Sequence, residues 1–211
     1  MNIAVINETS AADRNADIIA ALEGHGHEIF NVGMKKNGEK PELQYYHTAL
    51  LSALLLNLKR VDFVVGGCGT GQGFMMAVTM YPGVFCGHIM NDLDAWLFAQ
   101  INNGNCISLM LNQGYGWAAN INLKFIFDRL FSAPWGGGYP AHRAEPQQAS
   151  RKMLDDISVV THRPMSEILE KLPDAVVKPV LEYPGIKELL AIDTIRDKEM
   201  KSVLSARMSI P

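Results

Sequence analysis

The hydrophobic positions of the first 131 residues form short continuous apolar runs, separated by segments in which apolar residues recur at helical spacing. Short apolar runs rich in β-branched residues are typical of parallel strands that are covered on both faces. The sequence therefore predicts strands at 3–6, 28–32, 61–65, 84–89 and 105–111.

Segments with helical spacing follow each of these strands. They predict helices at about 10–22, 42–59, 74–80, 91–102 and 116–131. Strands that alternate with helices through short connections form open parallel sheets with helices on both faces. We therefore expect a Rossmann-like α/β fold with three αβα layers around a mostly parallel open sheet.

The predicted helix at 42–59 is more apolar than a helix with one core-facing stripe. Leucine occupies positions 50, 51, 54, 55 and 56, which spreads the apolar surface around the helix. We expect a subunit interface to cover the second face.

The composition changes after the last predicted strand and helix. Glycine, proline and isolated aromatic residues dominate 132–146, which is typical of a loop or linker. The remaining residues predict helices at about 147–160, 165–172, 185–191 and 194–207, with no strand pattern. We expect an α/β domain over 1–145 and a helical C-terminal extension over 146–211, packed on the same subunit or on a neighbour.

Composition and charge narrow the class of partner. A net charge of −3 leaves no broad basic surface for nucleic acid or an anionic membrane. No apolar stretch reaches the roughly 20 residues of a membrane span, and the amino-terminal residues lack the basic start of a signal peptide. We expect a cytoplasmic protein that acts on a small molecule.

A glycine-rich loop follows the predicted strand at 61–65. It reads Gly66-Gly67-Cys68-Gly69-Thr70-Gly71-Gln72-Gly73. Glycines let successive backbone amides converge on an anion at the start of a helix, and ligands of open parallel sheets bind at the carboxyl ends of strands. The loop matches neither a phosphate-binding G-K-S/T loop nor G-x-G-x-x-G, which disfavours a nucleotide cofactor. The alternative is that the glycines only make a tight turn.

The three cysteines, Cys68, Cys86 and Cys106, fit neither a zinc motif nor a disulfide framework. Cys68 lies in the loop ahead of a helix, where amide dipoles favour a reactive thiolate that can act as base or nucleophile. It could instead be a small buried residue that fills the turn. We expect Cys86 and Cys106 to be core residues.

The loop at 67–71 is followed by Tyr-Pro-Gly-Val at 81–84 and by Asn-Asn-Gly-Asn at 102–105. Together these three segments resemble the ribose-5-phosphate isomerase B and galactose-6-phosphate isomerase family. The resemblance covers about residues 1–145 and marks the chain as a divergent member with a C-terminal extension. It implies aldose–ketose isomerisation of a sugar phosphate through a cis-enediolate, without metal or organic cofactor. It also implies a homodimer or tetramer with the active site at the subunit interface.

The resemblance also implies roles for particular residues. Cys68 would be the base and Thr70 would move or orient a hydroxyl proton, while glycine amides of the loop would surround the oxyanion. The residues expected to bind substrate are Glu8, Tyr45, Gly67, Gly69, Gly71, Gly73, Asn102 and Asn105, with His142 and Arg143 as the anion clamp. The two asparagines would come from the partner subunit. As structural alternatives, Glu8 would be a loop acid, Tyr45 a packing residue and the asparagines turn formers.

The chain departs from the family pattern at two histidines and at the phosphate-binding arginines. Thr9 and Ile101 stand where the family has histidines, and the segment 111–113 has no arginine. Because Ile101 cannot assist ring opening, the substrate could be a short-chain sugar phosphate, such as a tetrose phosphate, or an open-chain or unphosphorylated polyol derivative. His47, His88 and His142 are candidates to replace the missing acid–base group. Two other functions stay open: noncatalytic binding of a sugar or anion, and an enzyme that uses Cys68 as a covalent nucleophile.

Overall fold

A computed structural model describes residues 1–209 and shows one five-stranded sheet in which all strands are parallel. The strand order is β2-β1-β3-β5-β4. The strands are β1 (Asn2–Ile6), β2 (Glu28–Asn31), β3 (Phe63–Cys68), β4 (Cys86–Ile89) and β5 (Cys106–Met110). The predicted number of strands and their alternation with helices are confirmed.

Helices cover both faces of the sheet and form the whole C-terminal region that the structure describes. They are α1 (Asn15–Leu22), α2 (Tyr45–Asn57), α3 (Gln72–Val78), α4 (Asp92–Leu97), α5 (Ala119–Leu130), α6 (Ala144–Thr161), α7 (Met165–Lys171), α8 (Asp174–Leu181), α9 (Ile186–Leu190) and α10 (Lys198–Met208). A 3₁₀ helix over Thr9–Arg14 precedes α1, and a π-helical turn over Phe98–Asn102 follows α4. None of the helices within residues 1–209 is long and apolar enough to cross a bilayer.

Alternate residues of the strands enter two separate cores. On β1, Ile3 and Val5 pack in a core with α1, α4 and α5, while Ala4 and Ile6 pack in a second core with α2 and α3. This is the arrangement expected of a sheet covered on both faces, because successive side chains of a strand point in opposite directions. The expected three-layer Rossmann-like fold is therefore confirmed.

The chain changes direction across the sheet between β1 and β3. From β1 it passes through α1 to β2 on one side, and then returns through α2 to β3 on the other side of β1. Such a reversal leaves a crevice outside the carboxyl ends of the two strands, which is the usual ligand site in this type of sheet.

The strand β3 runs further than its apolar pattern predicted. It includes Gly66, Gly67 and Cys68, so only the residues after Cys68 form a loop. A side chain at Gly66 would collide with α3, because a Cβ there would lie 2.3 Å from the Phe74 ring. Gly66 therefore permits close packing of α3 on the sheet.

The second apolar face of α2 is covered by the same chain, so the expectation of a subunit interface on this helix is wrong. Every residue from His47 to Leu55 is buried, and residues of α7 to α10 belong to the same hydrophobic core as α2. Arg60, which follows α2 in the chain, binds the end of α9, since its guanidinium donates to the backbone oxygens of Leu190 and Ala191.

The C-terminal region contains one helix that the sequence pattern did not predict. This helix, α8, carries Pro179 in its interior and begins directly after Pro173. Prolines usually end helices, which is why the pattern suggested a break here. Beyond β5 the described residues form no further strand, as expected.

We predict that His47 makes the stability of the fold depend on pH. Its Nδ1 accepts the Gln44 amide at 2.9 Å, and its Nε2 lies 2.9 Å from the Ala175 carbonyl oxygen. Burial lowers the pKa of His47. The neutral ring is therefore favoured in the folded state, and its contribution to stability is complete above about pH 6.5 and lost as the pH falls towards the lower folded pKa.

His47→Gln keeps a side chain that can complete the helix cap but removes the titration. We expect the unfolding midpoint in denaturant to fall less steeply between pH 7.5 and pH 5.5 in His47→Gln than in the wild type. Burial also lowers the pKa of His27, which adds the same pH dependence to both proteins. The effect of His47 is therefore the difference between the two proteins in how the unfolding midpoint changes with pH. The same change of the unfolding midpoint with pH in the two proteins would contradict the prediction.

Candidate active site

The glycine-rich loop lies at the crevice between the carboxyl ends of β1 and β3. Gly71 has a φ of +75° and is the N-cap of α3. A Cβ at Gly71 would lie 2.5 Å from Nε2 of His88. Glycine is therefore required at this position both for the left-handed backbone and for the close approach of His88.

The loop is fixed to the sheet through its carbonyl oxygens. The Cys68 oxygen accepts the Leu111 amide at 3.0 Å, and the Gly69 oxygen accepts the amides of Asn112 and Gln113 at 3.0 and 2.9 Å. The segment that follows β5 thus holds the first part of the loop from one side.

Two side chains from the neighbouring strands hold the second part of the loop. Nε2 of His88 on β4 lies 3.1 Å from the Thr70 carbonyl oxygen, and the Ser108 hydroxyl on β5 donates to the Gly71 carbonyl oxygen. Because the carbonyl oxygens are bound on the sheet side, the peptide planes of the loop have a fixed orientation.

Two of the glycine amides that the resemblance placed around an oxyanion are used inside the chain. The Gly69 amide donates to Oγ of Ser10 at 3.0 Å, and the Gly71 amide donates to the Cys68 carbonyl oxygen at 3.2 Å. Gly67 lies within β3, where it is paired with Leu109 of β5.

Three other amides near the start of α3, those of Thr70, Gly73 and Phe74, have no acceptor within residues 1–209. Phe74 is fully buried, so the amides of Thr70 and Gly73 are the two that a ligand could reach. Unpaired amides at the first turn of a helix are a favourable environment for a negative charge. Of the expected glycine donors, Gly73 is the one whose amide is free.

Cys68 lies beside these amides and is mostly buried, with 7% of its surface exposed. Its Sγ is 3.9 Å from the Thr70 hydroxyl. A Cβ at Gly73 would contact both Sγ, at 3.6 Å, and the ring of Tyr45, at 3.4 Å. Cys68, Thr70, Gly73 and Tyr45 therefore lie together, with the exposed Thr70 and Tyr45 on the solvent side.

Glu8 is used to position the loop. Its side chain is 2% exposed and accepts hydrogen bonds from both the backbone amide and the hydroxyl of Ser10. Because Oγ of Ser10 also accepts the Gly69 amide, a continuous set of hydrogen bonds links the carboxylate of Glu8 to the loop. This differs from the sugar-binding role that the resemblance implied for Glu8.

Four residues at this edge were missed by the sequence analysis: Asn7, Ser10, Arg14 and Asn112. Nδ2 of Asn112 donates to the Ser10 carbonyl oxygen at 2.7 Å, and Nε of Arg14 donates to a carbonyl oxygen after β5 at 3.2 Å. The side chain of Asn7 is fully buried and has no partner among the described residues. The usable signal was their position in the segments that follow β1 and β5, since those strand ends lie on either side of β3.

Asn102 and Asn105 lie at the opposite edge of the sheet in the same chain. Cys68 pairs with Met110 at the carboxyl end of β5, whereas Asn105 precedes the first residue of that strand. At the usual rise of a strand, this separates Asn105 from Cys68 by roughly 15 Å. The Asn105 amide group is also fully engaged, with the Phe85 amide and the Gly83 carbonyl oxygen.

Asn102 is exposed and lines a cavity of about 380 Å³ together with Arg151. His142 and Arg143 are exposed as well, in the turn that begins α6. Backbone hydrogen bonds from Gly136 and Gly138 tie the preceding segment to the π-helical turn at 98–102. The chain therefore brings one group of predicted residues together around Cys68 and leaves Asn102, Asn105, His142 and Arg143 away from it.

The remaining histidine and cysteine candidates have structural contacts. His47 belongs to the N-terminal cap of α2, and His88 contacts the Thr70 carbonyl oxygen from β4, on the sheet side of the loop. Cys106 is fully buried, and burial raises the pKa of its thiol. Cys86 is half-buried on the adjacent strand, paired with Cys106. No group of three or more His, Cys, Asp or Glu side chains in the described part of the chain is placed to hold a metal ion.

Two solved structures resemble the chain over its full length. One is described as a 4-deoxy-L-threo-5-hexosulose-uronate ketol-isomerase complexed with a tartrate, with 36% identity, a TM-score of 0.92 and coverage of 100% of both chains. The other is described as ribose-5-phosphate isomerase LacAB_rpiB from Vibrio parahaemolyticus, with 38% identity, a TM-score of 0.91 and coverage of 98% of this chain and 99% of that chain.

A more distant structure shares the fold over about two thirds of the chain. The ribose 5-phosphate isomerase RpiB of Thermotoga maritima is 22% identical, with a TM-score of 0.54, and the alignment covers 69% of this chain and 96% of that chain. No curated protein sequence matches the chain.

A family profile described as Ribose/Galactose Isomerase matches residues 3–138, which include β1 to β5 and the glycine-rich loop. Together with the two full-length relatives, this match confirms the expected isomerase family and the expected class of enzyme. The chain belongs to the ribose/galactose isomerase family.

Proposed function

We propose that the protein is an aldose–ketose isomerase whose substrate is an open-chain, acidic six-carbon sugar. This sugar carries an aldehyde, which reacts, and a separate keto group. The observation that carries the proposal is the cluster at the start of α3, where the thiol of Cys68 lies beside Thr70 and Gly73, whose backbone amides are unpaired within residues 1–209. A base next to fixed donors is the minimum that proton transfer between adjacent carbons requires.

The reaction needs no change in the number of atoms or electrons of the substrate. The thiolate of Cys68 removes the proton from the hydroxyl-bearing carbon next to the aldehyde, and the electron pair moves to give a cis-enediolate. The amides of Thr70 and Gly73 stabilise the oxygen that becomes negative. Oγ1 of Thr70, 3.9 Å from Sγ, moves the hydroxyl proton between the two oxygens, and the thiol of Cys68 returns its proton to the former aldehyde carbon.

Ile101 supports an open-chain substrate. An isoleucine side chain cannot transfer a proton, so a substrate that reacts as the open chain fits this position better than one that must first be opened. The compound named for the first full-length relative, a 4-deoxy-5-hexosulose uronate, lacks the hydroxyls at C4 and C5 that would close a sugar ring onto C1. We assign this chain a substrate of that kind.

A sugar phosphate is the second candidate. The Vibrio parahaemolyticus relative, which is also similar over nearly the full chain, is described as a ribose-5-phosphate isomerase. A short-chain sugar phosphate that does not cyclise would also react without a ring-opening histidine. Measuring activity on both substrate classes separates the two candidates.

We further propose that a second copy of the chain completes the site. Exposed apolar residues lie on α3, in the turn that follows it and on α6, including Met76, Met80, Met153 and Ile157. The two helices are adjacent, because the Gly83 amide, in the turn after α3, donates to a serine hydroxyl of α6. In a symmetric dimer this apolar surface would be covered, and Asn102 and the turn that contains His142 and Arg143 would face the loop of the other copy.

We predict that Cys68→Ala lowers kcat by roughly 10²- to 10⁴-fold, the usual contribution of a general base. The measurement is conversion of the 4-deoxy-5-hexosulose uronate, with exchange of the substrate C2 proton in deuterated water followed by NMR. Cys86→Ala, on a strand at the edge of the sheet, is the matched control and should retain wild-type activity. Full activity and exchange in Cys68→Ala would overturn the assigned base.

We predict that Ser10→Ala loosens the loop. It leaves the Gly69 amide and the buried carboxylate of Glu8 without a hydroxyl partner, which should cost about 1–3 kcal/mol of unfolding free energy and also lower kcat. Denaturant unfolding at neutral pH measures the change. The exposed Ser202 in α10 is the control, and Ser202→Ala should have an effect within about 0.5 kcal/mol. Equal stability of the two variants would contradict the positioning role.

We predict that two inactive variants restore activity when they are co-expressed. Cys68→Ala and Asn102→Ala damage different halves of a shared site, so each mixed dimer has one intact site. Random pairing gives about half mixed dimers, and activity should reach about a quarter of the wild-type value. Activity no higher than the mean of the two parents, or a monomer by light scattering, would exclude the shared site.

A further inference from the structure

Arg14 is the cationic side chain that the fold places beside the glycine-rich loop. It ends the 3₁₀ helix after β1, and its Nε donates to the Leu111 carbonyl oxygen at 3.2 Å. Leu111 in turn donates its amide to the Cys68 carbonyl oxygen at 3.0 Å. The guanidinium is therefore connected to the backbone of the proposed base through a single residue.

The guanidinium is held in a fixed orientation. Its Cζ lies 4.5 Å from the centre of the Tyr115 ring, which supports one face of the group. The Tyr115 hydroxyl is fixed in turn, since it donates to Asp17 at 2.6 Å. A stacked guanidinium whose Nε is already bonded presents its two terminal nitrogens with little loss of freedom.

The terminal nitrogens of Arg14 have no acceptor in the part of the chain that the structure describes. Arg14 forms no ion pair with a carboxylate there, and its one hydrogen bond uses Nε. The side chain is half-buried, so this charge is partly removed from water. A planar pair of free N–H donors matches the two oxygens of a carboxylate or phosphate.

Polar side chains lie next to Gly69, the residue that follows Cys68. A Cβ at Gly69 would lie 3.4 Å from both Nδ2 of Asn112 and Oγ of Ser10. The nearest side-chain atoms at this position are therefore polar, which suits a hydroxylated substrate that extends from Cys68 towards Arg14.

We propose that Arg14 binds the negatively charged end of the substrate, in the same chain as Cys68. This inference rests on the proposed function and defines its anion subsite. It differs from the arrangement expected from the resemblance, in which His142 and Arg143 form the anion clamp. An anion held by a forked contact at one end of the molecule would fix which two carbons reach the thiol, so Arg14 determines specificity.

Binding and kinetics of Arg14 variants test the proposal. Arg14→Gln removes the charge, and Arg14→Lys keeps the charge but loses the fork. We expect Arg14→Gln to weaken the binding of tartrate, measured by calorimetry, by roughly 10- to 100-fold. We expect a similar rise in KM for the acidic substrate with a small change in kcat, because the contact is made equally in the ground state and the transition state. Arg14→Lys should lie between Arg14→Gln and the wild type.

Three comparisons make the result specific. Arg129→Gln, an exposed arginine near the end of α5, should bind tartrate like the wild type. Arg143→Gln tests the alternative clamp, and a larger loss of tartrate in this variant than in Arg14→Gln would overturn the proposal. Inorganic phosphate in place of tartrate shows whether the subsite prefers a phosphate or a carboxylate, and a wild type that binds neither anion would also overturn it.

The affinities for tartrate and phosphate test this inference independently of the proposed function. If no sugar acid or sugar phosphate is isomerised, the proposed function fails, and the affinities for tartrate and phosphate still decide the role of Arg14. If isomerisation is observed and Arg14→Gln keeps both KM and tartrate affinity within about twofold of the wild type, the function stands and the subsite is wrong. Should Arg14→Gln fail to fold, Arg14→Lys with tartrate gives the deciding value.

Discussion

The orientation of the peptide groups in the glycine-rich loop is the constraint on which the rest of the site depends. Backbone oxygens from Cys68 to Gly71 accept hydrogen bonds from the loop itself, from β4 and β5 and from the segment after β5. Each peptide group carries its donor opposite its acceptor, so anchoring the oxygens towards the sheet determines where the nitrogens point. Catalytic donors that are fixed before substrate arrives need no reorganisation during the reaction.

The strand order explains why this anchoring is available at this point. With β5 between β3 and β4, the loop after β3 is flanked by β1 on one side and by two strands on the other. Ser10, Ser108 and His88 come from three different strands or strand ends, yet all contact the same loop. A loop after an edge strand would have partners on one side only.

Much of the fold followed from the sequence, because buried strands and amphipathic helices leave periodic patterns. The strand order left no such pattern, and neither did the extension of β3 through Gly66 and Gly67, since glycine is rare in strand interiors. The helix α2 was recognised but its covering was misassigned. A helix that is apolar on two faces indicates that both faces are buried, but not which residues bury them. Here the second face is covered by residues more than 100 positions later in the chain.

The candidate site was predictable in part. Cys68 and its glycines stood out because their spacing is unusual, whereas Ser10 and Arg14 are common residue types in a short 3₁₀ helix. Their contacts with the loop arise from tertiary packing. Residues that precede a parallel strand lie at the edge of the sheet opposite to those that follow one, so the position of Asn105 before β5 already indicated its separation from Cys68, and the register of β5 shows it.

The packing of the last helices on α2 also constrains how the protein can fold during synthesis. All five strands have been made once the chain reaches Met110, but α2 is then still without the cover that α7 to α10 provide. An exposed leucine-rich face on a nascent chain is a binding surface for chaperones and a risk for aggregation. The part of the chain that carries the candidate site is therefore synthesised first, but its core on the α2 side closes only when the later helices emerge, which makes the docking of these helices a late step in folding.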